Sequence, residues 1–227
     1  MNPVSRRARN AGKGEGRVQK HRIYQVALVL LAAGISAGCG ATRPNQYFEL
    51  SVAPPAPSAQ AAAPLPITIV VGRVVTSHLY HDDRIVFGTG STELGVYEYY
   101  RWAQMPADMI QDALVSSLRA TGQYRSVTRI GSSARGEFVL RSRLISFCEV
   151  DKSPTVARFE IEAELFDSKS GNTVWTGSYS HDQPAEGKSM TVIVEALDHN
   201  VHDGIQQLTA SLGQYFASHP PQTPAAQ

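Results

Sequence analysis

Between Thr155 and Asp167 the sequence reads TVARFEIEAELFD, and it alternates strictly. Ala157, Phe159, Ile161, Ala163 and Leu165 fall on one face of an extended chain; Arg158, Glu160, Glu162 and Glu164 fall on the other. A period of two belongs to a strand and not to a helix. One apolar and one charged face mark a half-exposed antiparallel strand, packed on a core on one side and solvated on the other. DSKSGN (167–172) supplies a turn, so NTVWTGSYSH (172–181) reads as the next strand. The apolar face of such a pair has to be covered by another layer.

The cover is readable in two places. In MPADMIQDALVSSLRATG (105–122), Ile110, Ala113, Leu114 and Leu118 recur at helical spacing, Pro106 suits a first turn and Gly122 suits a stop. In 189–216, Ile193, Leu197, Val201, Ile205, Leu208 and Leu212 form one continuous apolar stripe. Further strands are expected at ITIVVGRVV (67–75), RIVF (84–87), GVYEYYRW (95–102), RSVTRI (125–130) and EFVLRSRLISFCEV (137–150), with a glycine-rich hairpin loop before residue 95. The expected fold class is α+β, an antiparallel or mixed β-sheet with two main helices packed on one face.

The N-terminal end carries a different signal. Seven basic residues and one acid, Glu15, precede an uncharged stretch from Ile23 to Gly38. That stretch is shorter than the about 20 apolar residues that span a bilayer. A basic region, a short apolar region and small residues at its end make a secretory signal peptide. Ser36-Ala37-Gly38-Cys39 look like a bacterial lipobox, with cleavage between Gly38 and Cys39; an ordinary signal peptide with an incidental cysteine is the competing reading. Under the lipobox reading Cys39 becomes the first residue and carries a covalent diacylglycerol and an N-acyl lipid, and no other cofactor is expected. The other cysteine, Cys148, is then unpaired and sits in an apolar-rich run, as a small buried hydrophobe does.

The expected organisation is a signal peptide (1–38), an acylated N-terminus with a short strand and an Ala/Pro-rich linker (39–66), one domain (67–217) and a disordered tail (218–227). Tyr47–Leu50 is a candidate edge strand. Without residues 1–38, fourteen Lys and Arg face nineteen Asp and Glu, a net charge of −5. An acidic chain argues against a nucleic-acid partner and against a polybasic membrane patch, leaving attachment to the lipid. Gly40 replaces the aspartate that commonly retains such lipoproteins in an inner membrane, so the periplasmic face of an outer membrane is the expected location.

Catalytic signatures fail on inspection. Gly187-Lys188-Ser189 ends like a P-loop, but Asp182 stands where its first glycine belongs; Gly88 and Gly90 open a dinucleotide fingerprint that Glu93 breaks. Beyond Gly38 there is no G-x-S-x-G elbow. Glu195, His199 and His202 share an arc of one helix, and His78, His81, Asp82 and Asp83 share a loop, neither with recognised metal-ligand spacing. No metal site and no enzyme activity are expected. The aromatic strand is the exception: alternation sets Tyr97 and Tyr99 against Tyr100 and Trp102, so one pair belongs to a core and the other is either an exposed binding surface or covered by a helix or by the Tyr47 strand.

The order of these features resembles a known family. A lipobox, YFEL (47–50), ITIVVGRVVTSHLYHDDRIVF (67–87), Arg101-Trp102 with the helix after it, FVLRSRLISFCEV (138–150), ARFEIEAELFDSKSGNTVWTGSYS (157–180) and VEALDHNVHDGIQQL (194–208) are similar in sequence to the PqiC-like auxiliary lipoproteins of MCE-type (mammalian-cell-entry) ABC transport systems. The resemblance implies a non-catalytic lipoprotein that accompanies a periplasmic MCE-domain protein, a permease and an ATPase, in systems that move phospholipids or other hydrophobic molecules between membranes. Candidate partner-facing residues are Tyr97, Tyr99, Tyr100 and Trp102, with His78 and His81 of the SHLYHDD loop. Replacing Tyr97 and Tyr99 by Ser is expected to impair assembly without unfolding the domain. The competing functions are a stand-alone lipid carrier, which needs a cavity between sheet and helices, and an accessory lipoprotein of outer-membrane or lipopolysaccharide assembly.

Overall fold

A computed structural model describes residues 43–51, 64–89, 92–131 and 135–221. The lipobox with Cys39, most of the Ala/Pro-rich linker and the end of the expected tail lie outside the described residues. In chain order the elements are β1 (Gln46–Phe48), β2 (Leu65–Thr76), a short 3-10 turn (His78–His81), β3 (Arg84–Gly88), β4 (Leu94–Trp102), α1 (Pro106–Ala120), β5 (Tyr124–Arg129), β6 (Phe138–Val150), β7 (Val156–Asp167), β8 (Thr173–Pro184) and α2 (Met190–Ser218). The fold is α+β: an open, mixed sheet of eight strands with two helices on one face.

β7 has the expected two-faced character. Its alternate residues from Ala157 to Leu165 are buried while Glu162 is exposed. It pairs antiparallel with β6 from Phe138↔Asp167 to Val150↔Val156, and with β8 on its other edge. The free edge of β6 is shared by two strands in tandem. β2 runs parallel to its first half, from Ile69↔Phe138 to Thr76↔Leu144, and β3 runs parallel to its end at Phe87↔Glu149 and Gly88↔Val150. Between them the chain leaves the sheet through the 3-10 turn and buries Tyr80. The sheet therefore forks: β5 extends it beyond β2, while β4 and then β1 extend it beyond β3. β1 is the edge strand anticipated around Tyr47, lying parallel to β4.

The helices cover the face that carries Phe159, Ile161 and Leu165. α2 lies close enough to β7 and β8 that a Cβ on Gly204 would sit 2.6 Å from the Tyr179 ring, so glycine permits the approach. Buried Asn200 ties the layers together: its Nδ2 donates to the carbonyls of Ala157 and His181, and its Oδ1 accepts from the Tyr179 hydroxyl at 2.8 Å. α1 rests on β2 and β5. Gln111 Nε2 donates to the carbonyls of Val71 (3.2 Å) and Gly72 (2.7 Å), at the bulge where β2 slips its register against β6. Pro106 opens α1, and Gly122 follows it with φ +64°, the left-handed conformation that ends helices. Ser189, the P-loop-like serine, caps α2: its hydroxyl accepts from the Val192 amide at 3.4 Å. Among the described residues no helix is long and apolar enough to cross a membrane.

Candidate functional site

β4 departs from simple alternation. It pairs with β3 at Phe87↔Gly95 and Val86↔Val96, then at Arg84↔Arg101, so residues 97–100 oppose Ile85 alone. A bulge of this kind turns side chains that alternation would separate toward each other. The rings of Tyr97 and Tyr100, assigned to opposite faces by the sequence pattern, instead meet at 5.3 Å. Tyr97 also packs on Phe87 at 4.9 Å, and Tyr100 meets Phe48 of β1 at 6.0 Å.

Tyr97 is a structural residue. Its hydroxyl donates to Glu149 Oε2 at 2.6 Å, and Glu149 is only 7 % exposed. Burial, then the bond to Glu149, push the Tyr97 hydroxyl pKa up. A serine at position 97 removes the donor from a buried carboxylate, so the Tyr97/Tyr99 double substitution disturbs folding as well as any docking. Trp102 is 1 % exposed and stacks obliquely on Phe147 at 5.1 Å, so it belongs to the core and offers almost no surface of its own. Tyr99 and Tyr100 are half-buried.

The 3-10 turn separates its residues by role. His78 and His81 are exposed, and Tyr80 points inward, where burial raises its pKa. The loop's acids are held by arginines: Asp82 by Arg84 at 2.7 Å and Asp83 by Arg101 at 2.6 Å. Arg84 holds the Asp82 carboxyl well below the usual carboxylate range. On α2, His199 faces Asp203 at 3.3 Å. Among the described residues no three metal-ligating side chains converge. Cys148 is buried, and burial pushes its thiol pKa up, as in an inert cysteine.

A concavity lies where β4 hands over to α1. An open cleft of about 560 Å³ is lined by Tyr47, Trp102 and Met105 together with Asp83, Asp108 and Asp112. Tyr47 is 62 % and Met105 50 % exposed. Asp112 pairs with Arg129 at 2.6 Å. A smaller hollow of about 140 Å³ shares Gln104 and Asp112 with it and is bordered by Glu49 and Leu50. Ser51 is fixed to α2, because it donates through both its amide (2.8 Å) and its hydroxyl (2.7 Å) to Asp198. The sequence reading overlooked Tyr47, Met105 and Asp108 as a group. One local signal was available: the residue before a proline is pushed out of the helical region, which leaves Met105 extended (ψ 140°) at the mouth of α1.

These elements match a known family. A family model described as "ABC-type transport auxiliary lipoprotein component" matches residues 48–211, from the end of β1 into α2. Among solved structures, a Xanthomonas campestris protein of the DUF330 family is similar at a TM-score of 0.69, with 20 % identity over 77 % of this chain and 98 % of its own. An uncharacterized protein is similar at a TM-score of 0.54, with 12 % identity over 76 % of this chain and 98 % of its own. At these identities the likeness is one of fold. No curated protein matches the sequence.

Proposed function

Because the chain belongs to the family of ABC-type transport auxiliary lipoprotein components, we propose that it is the non-catalytic, lipid-anchored subunit of an MCE-type ABC system. In this reading Cys39 carries the diacylglycerol and N-acyl lipid and fixes the chain to the periplasmic face of the outer membrane. Seven positions separate Cys39 from Gln46, so the tether reaches at most about 25 Å when fully extended. The domain then works beside the membrane and docks the periplasmic MCE-domain protein, whose permease and ATPase move phospholipids or other hydrophobic molecules.

The observation that favours docking over carriage is the packing between the layers. A carrier holds its cargo between sheet and helices, and here that space is occupied by side chains. Ile69, Phe159, Ile161 and Leu165 from the sheet and Leu197 and Val201 from α2 are each 0 % exposed. Interiors packed in this way hold no voids of lipid size.

The test is mild-detergent capture of the tagged full-length protein from its native membranes, with mass spectrometry of proteins and lipids. The expected eluate contains an MCE-domain protein with its permease or ATPase, and Cys39→Ala releases the protein from the membrane fraction. Recovery alone with stoichiometric lipid overturns the reading in favour of a carrier. A β-barrel partner overturns it in favour of outer-membrane assembly.

A further inference from the structure

Among the described residues six large apolar side chains are exposed: Tyr47, Val75, Leu94, Met105, Ile130 and Ile145. Two of the six, Tyr47 and Met105, stand on the same cleft, though they are far apart in sequence. They meet because β1 pairs in parallel with the end of β4, setting Tyr47 opposite Arg101 and Phe48 opposite Trp102. The Ala103 amide then donates to the Phe48 carbonyl at 2.7 Å, which steers the chain into Met105 and α1. An exposed tyrosine and an exposed methionine on one concavity are the adaptable anchors of interaction surfaces.

Charge narrows the occupant. The charged residues that border the cleft and the adjoining hollow are Glu49, Asp83, Asp108 and Asp112 against Arg129. Arg101 and Arg129 answer Asp83 and Asp112, while Asp108 is an exposed carboxylate in the first turn of α1. The balance is negative, which repels phosphate headgroups and attracts a cation. A tyrosine face suits a lysine or arginine as well as an aliphatic chain.

We propose that this cleft docks a protein segment of the transport partner that presents a lysine or arginine beside an aliphatic side chain. The aliphatic group packs between Tyr47 and Met105, and the cation meets Asp108. This rests on the reading of the chain as an auxiliary subunit with a protein partner, and it goes beyond that reading by giving the place and the chemistry of contact.

The test uses the full-length protein in its native membranes, with p-benzoylphenylalanine introduced at position 47, at position 105 or, as a control on the opposite sheet face, at Ser178. Irradiation is expected to join positions 47 and 105, and not 178, to an identified transport subunit through a peptide containing Lys or Arg next to an aliphatic residue. Asp108→Lys is expected to lower the adduct yield at least about tenfold, as reversing a complementary charge does, and Asp108→Asn to lower it less. An unchanged yield in Asp108→Lys overturns the proposal. So do adducts to lipid, to a second copy of the chain, or to a peptide without a basic residue. If the transport subunit is captured in detergent but crosslinks only at 178, the cleft assignment falls and the auxiliary reading stands; if neither capture nor crosslinking finds it, both fall.

Discussion

The β6–β7–β8 half of the sheet and the forked β3–β4–β1 wing are built on opposite principles. In the first, long antiparallel strands pair along nearly their whole length, with a single register shift in each pairing, and α2 covers one face with a continuous apolar stripe. In the second, strands are short, two of the pairings are parallel, β4 bulges, and aromatic rings stay half-buried. A regular half that is filled to its centre supplies stability. An irregular wing that leaves Tyr47 and Met105 in solvent supplies surface. The separation of scaffold from working surface is what a docking subunit needs, since contacts can change there without touching the core.

The contrast is sharpest at Phe159. It is fully buried and in ring contact with Phe147 and Tyr179. Phe159→Ala is expected to lower the stability of the whole domain by about 3–5 kcal/mol in urea unfolding, whereas Tyr47→Ala leaves it within about 0.5 kcal/mol. Equal losses would break the division of roles.

A smaller effect belongs to the part-buried polar link between the wing and β6. Tyr97→Phe keeps the ring contacts and removes the donor from Glu149, for an expected loss of about 1–3 kcal/mol. A negligible loss would mean that water replaces the hydroxyl and that Tyr97 is closer to the surface than its contacts indicate.

The smallest effect is a pH dependence on the solvated face of the regular half. Asp182 receives both prongs of Arg158 (2.6 and 2.7 Å), and this pairing, with help from Lys152, depresses its pKa in the folded chain. A carboxylate depressed on folding contributes stability that is fully present above its unfolded pKa of about 3.9 and is lost as pH falls through the lower, folded value. Because Arg158 and Asp182 are 34 % and 33 % exposed, screening holds the contribution to about 1 kcal/mol or less. Asp182→Asn is expected to flatten the stability profile below about pH 4 and to leave the wing's behaviour unchanged.

The regular half was legible in the sequence because a strand with one dry and one wet face writes its period directly into residue type, as in residues 157–165. α1 was legible through Pro106 and Gly122, which act on their own backbone. The fork was not, because periodicity says which face a residue occupies and nothing about which strand lies beside it; β2 and β3 read as ordinary strands whether or not they share an edge of β6. The bulge in β4 was equally silent, and it moved Tyr97 and Tyr100 together. The cleft escaped for a third reason. Tyr47, Met105 and Asp108 carry no shared spacing, and only the β1–β4 pairing brings them into one place. The proposed lipid attachment at Cys39 rests on a motif outside the described residues, and its test is chemical.

The central claim is that this chain binds its partner through the corner formed by β1 and the start of α1, while the β6–β8 half serves as scaffold. Amide hydrogen exchange on the full-length protein, alone and within its native transport complex, tests it most directly. Slower exchange in the complex at residues 45–51 and 103–109, with β7 and β8 unchanged, is the predicted result. Protection along β7 and β8 with none at that corner would contradict the claim.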